Sequence, residues 1–219
     1  MRAIAKTVAV VAAMLTSGSA LAVDVTVDPG QTWLGFMNVF ELPSNGGGYV
    51  FGSPWGTSDL AAGFSGNVLR LSPNTNTYNP GDGFWVQPGG AGNKFMSANM
   101  YVENTGLLGQ TVNFSGQTVL NSFNSSYTSR AFVKILDANN GFSTVFESYA
   151  PLVGGQSFTL SMNVPNTPGY IPQYGFVTEG ANANPALAPG YGMALIAPIP
   201  EPTSLALLAL GSLFIARRR

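Results

Sequence analysis

The chain has 219 residues, of which nine are Lys or Arg, ten are Asp or Glu and none is His or Cys, for a formal charge of −1. The lack of His and Cys excludes Ser-His-Asp and Cys-His nucleophiles, imidazole or thiolate zinc sites, CxxC redox pairs and disulfides. With only 9% of residues charged, nucleic acid is excluded as an expected partner too, because phosphate binding needs clustered Lys and Arg.

The N-terminus comes first. Arg2 and Lys6 precede the apolar stretch Thr7 to Leu15, which is followed by Thr16-Ser17-Gly18-Ser19-Ala20-Leu21-Ala22. A charged start, a short apolar core and a small-x-small ending define a secretory signal peptide over 1–22. Ala20 and Ala22 mark the cleavage site, and Val23 becomes the mature N-terminus. The apolar run is short of the ~20 residues that a membrane span needs. Such a signal names the Sec translocase and signal peptidase as partners.

Residues 23–180 read as one β domain. Helical periodicity is nearly absent, and short runs of β-branched and aromatic residues alternate with Gly, Asn, Pro and Ser. The expected strands are 23–27, 32–40, 48–51, 67–71, 99–103, 110–114, 117–121, 130–136, 143–149, 156–164 and 173–178. Spacing of this kind predicts an all-β fold, a single jelly-roll-like β-sandwich. It is expected to be flanked by the signal helix and a short C-terminal membrane helix. Two hairpins are expected: one turning at Asn140-Gly141, where both residues tolerate positive φ, and one turning at Ser115-Gly116. The Gly/Pro/Ala-rich stretch 181–199 reads as a low-complexity spacer that holds the domain away from a membrane.

The chemistry open to such a domain is carboxylate, hydroxyl, amide and aromatic. Glycan binding would use exposed aromatic rings against sugar faces, with polar groups fixing the hydroxyls. Trp55 and Trp85, flanked by Gly and Pro, are the candidate platforms and Asp82 the candidate polar partner, whereas Trp33 lies in a dense apolar run and reads as core. Calcium is a weak alternative at Asn74, Asn76, Asn79 and Asp82, because only one of the four is a carboxylate; turn formation explains them better. No metal site and no cofactor are therefore expected. A glycosidase needs two carboxyls. The nine acidic residues of 23–199 form no recognisable catalytic signature, so no catalytic residue is assigned and the chain is read as a non-enzyme. Ice binding would require a repeating Thr face, which is missing here.

The last segment is a three-part tail: Pro200-Glu201-Pro202, the apolar stretch Leu205 to Ala216, and Arg217-Arg218-Arg219. Twelve helical residues rise about 18 Å, a marginal span, with the arginines kept cytoplasmic. This order closely resembles the PEP-CTERM sorting signal. The resemblance implies a Gram-negative bacterium, a transient inner-membrane anchor over 200–219 and recognition of Pro200, Glu201 and Pro202 by an exosortase, whose active site lies in that partner. The same tail is named in some families as an ice-binding-protein C-terminus. The segments Trp33 to Pro43, Gly46 to Thr57, Asn93 to Glu103 and Gln173 to Phe176 resemble a module of exported PEP-CTERM proteins to which no activity is attached. Together these readings predict an exported cell-surface or extracellular-matrix protein with a structural or adhesive role. Carbohydrate binding, with exopolysaccharide as partner, is the alternative.

Charge follows this division. Five of the nine basic residues lie at the two ends, so 23–199 holds four basic and nine acidic residues and is distinctly acidic, at −5.

Overall fold

Period-two alternation builds the strands. Along Thr111–Asn121 the residues Val112, Phe114, Gly116 and Thr118 are buried while Thr111, Asn113, Ser115 and Gln117 are partly exposed, the pattern of a strand with one face on a core. The computed structural model describes residues 22–199. Within them the strands are β1 (Ala22–Thr26), β2 (Leu34–Glu41), β3 (Tyr49–Pro54), β4 (Ala62–Ser65), β5 (Val68–Leu71) and β6 (Lys94–Glu103). They continue as β7 (Thr111–Asn121), β8 (Tyr127–Asp137), β9 (Ser143–Pro151), β10 (Ser157–Asn163), β11 (Tyr170–Ala181) and β12 (Ala194–Ala197), with three single-turn 3-10 helices and one short α-helix, α1 (Ala188–Tyr191).

Two six-stranded sheets pack face to face as an all-β sandwich. Sheet B runs β3-β2-β6-β11-β8-β9, antiparallel throughout. Sheet A is organised on β7. One edge of β7 takes β10; the other takes β1, in parallel, and then β12, which continues to β5 and β4. The chain crosses repeatedly from one sheet to the other, as the jelly-roll-like reading expects. Where the sheets meet, the Phe114 ring of β7 lies 5.1 Å from Tyr174 and 5.5 Å from Phe176 of β11, and Phe158 of β10 closes on Phe176 at 5.9 Å. Trp33 joins this cluster, stacked on Phe176 at 6.2 Å, with its Nε1–H donated to the Asp28 carbonyl.

Three expectations change. Residues 110–121 were expected to form a hairpin turning at Ser115-Gly116 but form the single strand β7. Gly116 is there for close approach: a Cβ at this position would sit 2.8 Å from the Phe158 ring and 2.9 Å from Val27. Strand β4 was not anticipated. The largest correction concerns 181–199, which is folded into the domain instead of serving as a spacer. Asn182 is buried and ties β6 to the loop before it, its Oδ1 accepting from Lys94 N–H and its Nδ2 donating to the Trp85 carbonyl. β12 fills the gap between β7 and β5, and its Ala194 and Ile196 are completely buried. The segments expected as signal helix and membrane helix fall in 1–21 and 200–219, outside the described residues. Among the described residues no helix is long and apolar enough to cross a membrane.

The Asn140-Gly141 hairpin is present between β8 and β9. Asp137 Oδ1 caps a short 3-10 turn by accepting from Asn139 N–H, and positive φ falls at Gly141 (62°) and Phe142 (58°) instead of at Asn140.

If β12 is structural, Ile196→Ala opens a cavity between the sheets and lowers stability by about 2–5 kcal/mol. Urea unfolding of the full chain measures this. A shift below a few tenths of a kcal/mol would return 181–199 to the status of a spacer.

Candidate functional site

The sequence-predicted binding residues do not form an exposed platform. Trp55 and Trp85 are half-buried and pack against the core. Trp55 donates Nε1–H to Ser53 Oγ at 2.8 Å; Trp85 sits edge-on to Phe84 at 4.7 Å and Phe51 at 6.2 Å. Among the described residues no ring contact joins Trp55 to Trp85. Asp82 shares a loop with Trp85, but its Oδ1 accepts from Phe84 N–H and its carbonyl accepts from Trp85 and Val86 N–H, so one carboxylate oxygen and the backbone carbonyl serve the turn. In the same loop Asn79 Oδ1 accepts from Gly81 N–H, and Asn74 Nδ2 donates to the Asp59 carbonyl. Of the signal-cleavage pair, Ala22 is the first residue of β1, and Ala20 lies outside the described residues.

A different cluster occupies the face of sheet B that points away from the core. Because β6, β11 and β8 run in register, their outward residues form rows: Ser97 beside Glu179, Tyr101 beside Gly175 and Phe132, Glu103 beside Gln173 and Lys134. Arg130 Nη2 pairs with Glu179 Oε2 at 2.7 Å and its guanidinium lies over the Tyr149 ring at 4.4 Å. Ser97 Oγ donates to Glu179 Oε1, Asn99 Nδ2 to the Ser97 carbonyl, and Lys134 Nζ to Asn99 Oδ1 at 3.4 Å. Polar side chains thus continue across a sheet whose other face is apolar. The signal in the sequence was the polar residue at each second position of β6 and the lone Lys134 within Phe-Val-Lys-Ile-Leu; it was missed because spacing along one strand does not say which strand lies beside it.

Burial pushes the Lys134 ammonium down to about 8, and the nearby Glu147 carboxylate partly offsets this. Burial pushes the phenols of Tyr149 and Tyr174 up to about 12, helped by a hydrogen bond to Glu147 in the first and by the Asp28 charge in the second. Burial also raises Tyr101 and Tyr127.

With this geometry in place, the class of protein is an all-β sandwich whose last strand leads directly into a C-terminal tail. The model of the PEP-CTERM protein-sorting motif matches residues 198–219, and the chain carries that sorting motif. No curated protein matches the chain. The match begins at Pro198, the residue after β12, and includes Pro200, Glu201, Pro202 and Arg217 to Arg219. The motif supports export through a sorting signal and is associated with exosortase recognition.

The ionisable groups predict a stability profile with a maximum. Between about 8 and the 10.5 of a free lysine, the unfolded chain holds a Lys134 proton that the folded chain has released, so stability rises with pH. The tyrosines act in the opposite sense: stability from their neutral form is full below 10 and lost as pH climbs through about 12. Urea midpoints measured from pH 7.5 to 12 should rise and then fall, and Lys134→Met should remove the rising limb. A rising limb that persists in this variant contradicts the assignment.

Proposed function

We propose that residues 23–199 are a non-catalytic structural or adhesive domain, displayed at the cell surface or in the extracellular matrix. The Sec translocase and signal peptidase act on its N-terminus, the inner membrane holds it transiently, and an exosortase reads Pro200-Glu201-Pro202. The sorting motif carries this reading, because it starts where β12 ends and so presents a finished sandwich at the membrane.

The carboxylates support the non-catalytic part. Asp28, Asp82 and Asp137 accept backbone N–H groups in turns. Glu41 and Glu179 are paired with Lys94 and Arg130. Asp24 accepts from Asn113, Glu103 from Gln173 and Glu147 from Tyr149. Of the nine acidic residues in 23–199, Asp59 alone has no hydrogen-bond or ion-pair partner for its side chain among the described residues.

Intact-mass measurement of protein from the native host tests the sorting route. The expected mature species lacks 1–22 and is processed near Pro200 to Pro202. Replacing all three motif residues with Ala should leave the precursor in the membrane fraction and empty the surface fraction. A surface species that still ends in Arg219 rejects the route.

A further inference from the structure

On the outer face of sheet B lies a trough of about 480 Å³, within the ~300–1,000 Å³ of small-molecule sites. Tyr101, Glu103, Gln173 and Lys134 form its centre, brought side by side by the β6-β11-β8 register, and Phe36 of β2 and Phe142 of the β8–β9 hairpin form its sides.

Three features of these residues lack an explanation in the fold. Gln173 is 4% exposed. Its Nε2 donates to Glu103 Oε2 at 2.9 Å, which orients the amide, yet its Oε1 is buried and accepts from nothing among the described residues. A buried acceptor in this state carries its desolvation cost with no return. Lys134 Nζ lies 4.6 Å from the Phe132 ring centre and 5.8 Å from that of Tyr101, has Asn99 Oδ1 as its hydrogen-bond partner and is not ion-paired among the described residues, which leaves ammonium hydrogens for a ligand oxygen. Phe142 is 60% exposed although its backbone is held at φ 58°, a region that bulky L-residues rarely enter. An exposed phenyl group on a strained backbone at the rim of a cavity is the arrangement in which strain commonly serves a site.

We propose that this trough binds an uncharged sugar unit of a glycan chain. The C–H face of the ring packs on Tyr101, Phe36 and Phe142. One hydroxyl donates to Glu103, whose carboxylate is held in place by Gln173 Nε2, and Lys134 donates to a neighbouring hydroxyl oxygen. The ligand is uncharged because Lys134 and Glu103 oppose each other within the trough, with Glu147 near the lysine; an anion would face Glu103 and a cation would face Lys134. An apolar lipid chain would leave these donors and acceptors unpaired. The site deepens the adhesive reading above and rests on it for its setting, but its test measures binding by purified protein and is independent of sorting.

The full chain, purified in detergent, is titrated calorimetrically with cello-, xylo-, manno- and malto-oligosaccharides and with oligogalacturonate. Saturable binding of at least one neutral series is expected. Phe142→Ala and Lys134→Met should each weaken it by about tenfold or more, the equivalent of one lost charge-assisted hydrogen bond or ring contact. Gln173→Met, which removes the amide that orients Glu103, should weaken binding while leaving the melting temperature unchanged or raised, because it also removes an unpaired buried oxygen. Trp85→Ala should leave affinity unaltered. Failure to bind any neutral series, tighter binding of oligogalacturonate, or affinity indifferent to the three trough variants overturns the site. A Gln173→Met protein that melts well below the parent assigns that residue to the fold and removes it from the site.

Discussion

Contact between Phe114 on β7 and Tyr174 and Phe176 on β11 is the interaction on which the two sheets depend. The chain has no disulfide and no long helix among its described residues, so sheet must be held on sheet by side chains alone. Aromatic rings supply the largest buried area per residue, and the tilted and edge-on geometries seen here are the ones their quadrupoles favour. The same strand explains sheet A. β7 is long enough to pair with β10 along one edge and with β1 and β12 in succession along the other, and Gly116 omits the side chain that would otherwise push Phe158 and Val27 away.

Placing the apolar load on one face of sheet B leaves the other face free for polar groups. In an antiparallel sheet the inward residues of neighbouring strands line up, and so must the outward ones. The rows that put Met100 beside Phe176 on the inside therefore put Glu103 beside Gln173 and Lys134 on the outside. The outer face is wired more fully than solvent exposure alone requires. Arg130, Glu179, Ser97, Asn99 and Lys134 follow one another, and aromatic rings underlie both cations. The trough lies at the end of this network where the amide of Gln173 is half satisfied.

The C-terminal region links fold to export. A Pro/Gly/Ala stretch without helical or strand periodicity resembles a tether, and 181–199 has that composition. In the folded protein it contributes Asn182 to the β6 junction and β12 to the middle of sheet A, so the domain closes only when residues immediately before the sorting motif are in place. A four-residue strand has too few residues to announce itself, and Ala194 and Ile196 acquire their burial from β7, β5 and the opposite sheet.

Much could be read from local pattern. The all-β class follows from period-two runs punctuated by Gly, Asn and Pro. The β8–β9 hairpin follows from Asn140-Gly141, and the packing of Trp33 against the core from its apolar neighbours. The sorting tail follows from three adjacent parts in a fixed order, because a signal read by a partner has to be contiguous. What the tertiary structure alone decided are the features that depend on which strand lies beside which: the uninterrupted course of β7 through Gly116, the capture of β12 in the sheet, the packing of Trp55 and Trp85 against the core and the meeting of Gln173, Lys134 and Tyr101 on one face. Each of those rests on hydrogen bonds or contacts between residues distant in the chain, and composition and spacing along a single strand carry no record of them.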